Sequence, residues 1–235
     1  MSFDPHEFDR SMAPEGQVET IGQYTAKTFL WMVLGLMITF GVALASWMTG
    51  AVYYVIHMHF VILIATLLLS ITMVSRIERM AVGTAKAMFV AFSVLFGFTM
   101  SIYLLIFDLN SVIFVFLATA VYFGALAAYG LLTHRDLSGL RPILTSGLIF
   151  LILFGLVIMF IPGFTALDQM ACIVGIAIFL GYTAYDTQKI RSFYSYYAGY
   201  PDMLEKASIF SALQLYLDFL NLFVYLLRFL GNRKN

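Results

Sequence analysis

The sequence predicts an all-α integral membrane protein, a bundle of seven helices, and three observations predict it. Of 235 residues, 62% are hydrophobic and 11% are charged, against roughly 45–50% apolar and about 25% charged in soluble domains. So few charges cannot coat a soluble surface, whereas lipid needs no such coat. Seven apolar runs reach the length of about 20 residues that a helix needs to cross the hydrocarbon core. Most charges lie in the first 25 residues or between the runs.

The elements follow in order. Residues 1–25 carry Asp4, Glu7, Asp9, Glu15 and Glu19 and no apolar core, so they read as a polar cytoplasmic tail, not as a cleavable signal. Residues 26–235 read as one transmembrane domain without repeat or linker. Its runs are 28–49, 52–75, 84–107, 111–133, 142–161, 169–188 and 208–230. Pro162, Gly163 and Asp168 separate the fifth from the sixth, because such residues break a helix and mark a turn. Short connections make neighbours antiparallel. Helices that meet in lipid need small residues at the contact, and GALAAYG at 124–130, Gly175 and Gly181 supply them. Trp47, Tyr53, Tyr54 and the Tyr194–Tyr197 cluster lie near run ends, where aromatics suit the membrane interface.

Basic residues set the orientation. With the N-terminus inside, the inner segments hold Arg10, Lys27, Arg76, Arg79, Lys86, Arg135, Arg141, Lys189, Arg191 and Lys206, while the loops near 50, 109 and 165 hold none. Seven full crossings put Arg228, Arg233 and Lys234 on the opposite side, against that trend.

Several function classes are excluded or weak. No basic stripe points to nucleic acid. The single Cys172 forms neither an internal disulfide nor a cysteine metal cluster and reads as a buried small residue. His57 and His59 would point to different faces of a helix with no third ligand near, so they read as interfacial. No hydrolase or nucleotide motif occurs.

Two acids stand apart. Asp186 lies late in the sixth run and Asp218 in the middle of the seventh. A charge at helix centre costs about 2.5–3.5 kcal/mol on insertion scales, so it faces the bundle interior and needs a reason. In the seventh run Gln214, Asp218, Asn221, Tyr225 and Arg228 fall on one narrow face of an otherwise apolar helix. Such a stripe points inward, which makes this helix central. In the sixth run Tyr182, Asp186 and Lys189 share a face, and an antiparallel sixth and seventh helix bring Asp186 toward Asp218. Two carboxylates in a poorly hydrated site do not both ionise readily and can share a proton. They could also bind a hard cation. Ca²⁺ takes about 6–8 oxygens and two aspartates supply at most four, so such a site is weak and transient. The structural alternative pairs Asp186 with Lys189 or an inner arginine, and Asp218 with Arg228.

The segments LYLDFLNLFVYLLRFLG at 215–231, GYTAYDTQKI at 181–190 and YGLLTHRDLSGLRP at 129–142 resemble the hallmark segments of the Bax inhibitor family of membrane proteins, its bacterial branch above all. The resemblance covers residues 20–235. It implies six helices wrapped around a central C-terminal seventh. It also implies a pH-sensitive calcium leak gated by the pair at Asp186 and Asp218. An arginine at the cytoplasmic end of the second helix, Arg76 or else Arg79, would lock the closed state by pairing with them. Calcium is then the transported ion and no cofactor is permanently bound. The expected setting is a bacterial plasma membrane with the N-terminus cytoplasmic, and the expected partners are the bilayer, calcium and protons. A non-enzymatic regulator that binds a quality-control protease or a stress or cell-survival partner is the alternative. An intramembrane aspartyl hydrolase is a further one, supported by Tyr185-Asp186 but lacking GxGD, since Asp218 sits in LYLDF.

Overall fold

The structure is a computed structural model that describes residues 19–159 and 165–234. Most of the expected polar tail, with Arg10, and the turn at Pro162 and Gly163 lie outside the described residues. The helices are α1 (Ile21–Met48), α2 (Val52–His57), α3 (His59–Arg76), α4 (Val82–Ile106), α5 (Leu109–Leu132), α6 (Arg141–Met159), α7 (Thr165–Tyr197) and α8 (Pro201–Leu230). Among the described residues, seven are long and apolar enough to cross a membrane, all but the short α2.

Helix ends differ from the apolar runs, and for one reason. Hydropathy marks only the stretch within lipid, while hydrogen bonding carries a helix further. α1 starts at Ile21, within the stretch expected to be tail, because Thr20 and Gln23 cap it reciprocally: Thr20 Oγ1 accepts the Gln23 N–H and Gln23 Oε1 accepts the Thr20 N–H. Pro201 starts α8 seven residues before its apolar run, at a position where a missing N–H costs nothing. α7 has 33 residues, about 50 Å of helix, and so reaches beyond the hydrocarbon at one end.

The expected second span is not continuous. It breaks at Met58 into α2 and α3. His57 Nδ1 lies 2.7 Å from the Tyr53 carbonyl and competes there with the backbone ladder.

α8 is the axis. Seventeen of its 30 residues are buried, and it packs against α1, α4, α5 and α7. The expected ring of six is therefore layered. α3 packs chiefly on α4 and buries only Met73, and α6 packs chiefly on α7. The face of α8 toward α1, α4 and α5 is aromatic: Phe219 and Phe223 stack edgewise on Phe116, and Tyr216 meets Phe89 and Phe92. Buried hydroxyls add cross-helix bonds, from Tyr216 to Thr39 at 2.6 Å and between Thr28 and Ser208 at 3.0 Å.

The described chain starts and stops at opposite ends of the bundle. The Tyr194 hydroxyl donates to the Glu19 carbonyl, so Glu19 lies beside the end of α7. The C-terminal segment lies against the α4–α5 turn, where a β-bridge joins Arg233 to Phe107 and Asp108 N–H donates to Asn232 O. Among the described residues, seven helices long and apolar enough to cross a membrane connect these two ends. Lys234 at this carboxyl end donates to Leu104 O, one of the last carbonyls of α4, a favourable position for a cation.

Candidate functional site

The antiparallel seam between α7 and α8 collects the polar stripe. Small residues let the backbones close. A Cβ added at Gly175 would stand 2.7 Å from the Tyr225 ring, and one at Gly130 of α5 would stand 2.4 Å from the Ala184 carbonyl of α7. Gly181 likewise packs against Leu144. Gly124, read with them as a contact residue, has no neighbour at that distance among the described residues.

Three levels follow along this seam. Toward the amino end lie the two acids, Asp186 6% and Asp218 5% exposed. They interact through space with each other and with Lys189, and Arg141 at the start of α6 acts on Asp186. Lys189 Nζ lies 3.4 Å from Asp186 Oδ1 and 3.4 Å from Gln214 Oε1, over the rings of Tyr185 and Phe193. Asp218 Oδ2 is buried with no hydrogen-bond partner among the described residues. No third His, Cys, Asp or Glu joins the pair in a cluster among the described residues. At the middle level the Tyr225 ring covers Gly175 and stacks on Phe179, 5.8 Å between centroids. At the carboxyl end Arg228 pairs with Asp168 in the first turn of α7.

The seam thus brings together Asp186, Asp218 and Gln214, and it separates them from Arg228. The pairing of Asp218 with Arg228 is replaced by Arg228 with Asp168, because Arg228 lies ten residues beyond Asp218, about 15 Å along the helix. Asn221 turns back on its own helix and donates to Leu217 O at 2.8 Å. The Tyr182 hydroxyl donates to Thr145 of α6.

Arg76 and Arg79 are exposed and form no ion pair among the described residues. The cation beside the acids is Lys189 in this arrangement. The end of α3 is held elsewhere: buried Lys206 donates to the Glu78 and Met80 carbonyls, and Lys206 lies about 18 Å along α8 from Asp218.

Two site residues carry roles that the sequence reading does not assign. Gln188 binds the α5–α6 loop with both ends of its amide, accepting from Leu137 N–H and donating to Arg135 O. That contact links the 129–142 and 181–190 segments. In the same loop, bonds from the Ser138 N–H and hydroxyl hold the Asp136 carboxyl below the usual carboxylate range. Asp168 stands out in the sequence only as a turn residue. Its signal was an acid in the first turn of a helix antiparallel to one ending in arginine.

Comparison with known proteins adds the family. The family model described as "Inhibitor of apoptosis-promoting Bax1" matches residues 21–235. The Escherichia coli (strain K12) protein named "Inner membrane protein YbhL" is 36% identical over 231 residues, 96% of this chain and 97% of that one. An uncharacterized protein of Rickettsia prowazekii is 37% identical over 223 residues, 92% of each chain. One of Borreliella burgdorferi is 34% identical over 217 residues, 91% of this chain and 93% of that one.

Proposed function

The chain belongs to the Bax inhibitor family, and we propose that it is a pH-sensitive calcium leak gated by Asp186 and Asp218. The observation that carries this reading is an imbalance. There are two buried carboxylates to one lysine, which pairs with Asp186, and one oxygen of Asp218 has no hydrogen-bond partner among the described residues. A buried ionised carboxylate without a partner is costly, so the seam favours uptake of a proton or a cation. For Ca²⁺ the acids and Gln214 Oε1 give part of the about 6–8 oxygens required; water and carbonyls complete the shell, and the ion is held weakly enough to leave. Acid conditions protonate the pair and remove the attraction. The neighbouring charges that set this balance are Lys189 on α7 and Arg141 on α6.

The middle level is the barrier. With Tyr225 against Gly175, the acid level is cut off from the carboxyl end, and passage requires α8 to shift against α7. Arg76 acts as a second lock, reaching the pair only when the end of α3 leaves Lys206. No catalytic step is assigned to the acids. The protein resides in a bacterial inner membrane, as the name of the Escherichia coli relative supports. Its amino end is cytoplasmic, because Lys27, Arg76, Arg79, Lys86, Arg135, Arg141, Lys189, Arg191 and Lys206 gather there.

The test is calcium flux into vesicles holding the purified chain, measured across pH. The proposal expects flux that depends on pH and loses that dependence in Asp218→Asn. Absence of flux overturns the leak, and a wild-type pH profile in Asp218→Asn overturns the gate.

A further inference from the structure

A concave site lies at the carboxyl end, away from the acids. α2 and α3 meet at the break at Met58, and α3 rests chiefly on α4. A cleft of about 760 Å³ opens there, between the start of α3 and the last turns of α4. That volume falls within the range of about 300–1,000 Å³ typical of small-ligand sites. Its walls are apolar, with Phe60, Ile102 and Ile106 among them, and Phe60 and Ile106 are exposed on the face that meets lipid.

The mouth is not apolar. Arg228 and Arg233 line it, with His59. Arg228 is already paired with Asp168. Arg233 has no acidic partner among the described residues. It is held in place by its backbone bridge to Phe107 and by the Phe107 ring beneath its guanidinium at 5.9 Å. His59 Nδ1 is buried without a hydrogen-bond partner among the described residues. The cleft therefore joins a lipid-facing apolar wall to an unpaired guanidinium and an unmet ring nitrogen. The planar guanidinium fork fits a phosphate with two parallel bonds.

We propose that this cleft binds an anionic phospholipid of the bilayer, with its phosphate on Arg233 and an acyl chain along Phe60, Ile102 and Ile106. A zwitterionic lipid fits the walls but offers no net negative head to Arg233, and a free phosphate meets Arg233 but leaves the walls empty.

The test uses the full purified chain, delipidated in detergent and then given phosphatidylglycerol, phosphatidylcholine of the same chains, or inorganic phosphate. Native mass spectrometry reads the lipid retained. Phosphatidylglycerol is expected to be retained about fivefold over phosphatidylcholine, the factor given by one cation at the membrane surface. Arg233→Gln should bring it down to the phosphatidylcholine level. Its fold is checked by helicity and melting, which should match the wild type because the bridge uses backbone atoms. Ile102→Trp fills the cleft and leaves both arginines, so it should lower phosphatidylglycerol retention as well. Equal retention of the two lipids overturns the proposal. So does phosphatidylglycerol retention unchanged by either variant, and so does full displacement by inorganic phosphate, which would mark a soluble-anion site.

Discussion

At the carboxyl end of the α7–α8 seam, one arginine meets one aspartate. Toward the amino end, one lysine meets Asp186 while a second acid, Asp218, is buried without an ion pair among the described residues. The same two helices build both levels, from one polar stripe on α8, yet the outcomes differ. Arg228 and Asp168 satisfy each other and are partly exposed, so they fasten the helix ends. Asp186 and Asp218 leave two acids to one lysine in a buried place, with Asp218 Oδ2 unbonded among the described residues. A closed ion pair holds a seam together, whereas an excess of buried acid makes it respond to protons and cations.

Breaking the excess should have the largest effect. Asp218→Asn leaves one acid to one lysine, as at the other end, and calcium flux should fall by at least about tenfold, equivalent to about 1.4 kcal/mol of lost attraction. Flux in vesicles across pH should also lose its pH dependence. Creating an excess at the fastened end comes next. Arg228→Gln strands Asp168 and should destabilise the protein by about 1–2 kcal/mol, less than a fully buried pair because both side chains are partly exposed. Adding Asp168→Asn should restore part of that loss in thermal melts. A smaller change sharpens the comparison from the other side. Lys189→Met removes the tethered cation from the acids, and half-saturation of flux should then need about fivefold less calcium, as about 1 kcal/mol of removed competition implies. Outside the seam, Thr39→Val costs Tyr216 its partner. It should lower stability by about 0.6 kcal/mol, the average for such bonds in membranes, and leave the pH profile of flux unchanged.

Much of this was legible in the chain. The seven crossings show in the apolar runs because a lipid interior tolerates few charges over about 20 residues. Asp186 and Asp218 stand out for the same reason, and the small residues Gly130, Gly175 and Gly181 mark real contacts. The break at Met58 was not legible, since neither proline nor glycine marks it. The pairing of Arg228 with Asp168 was also hidden. A stripe fixes which face a residue occupies but not which residue of the facing helix lies opposite.

The sequence by itself determined that the chain crosses a membrane seven times, that α8 turns a polar face inward, and that two acids lie where acids are costly. Periodicity and transfer energy act within one helix, so a single chain of letters carries them. Only the tertiary structure decided that Lys189 stands beside Asp186 while Lys206 binds the Glu78 and Met80 carbonyls beyond Arg76, and that Gln188 binds the α5–α6 loop. It also decided that Arg233 comes to rest at a lipid-facing cleft. Each of these depends on the register between helices far apart in the chain, set by how closely side chains such as Tyr225 over Gly175 allow two backbones to approach.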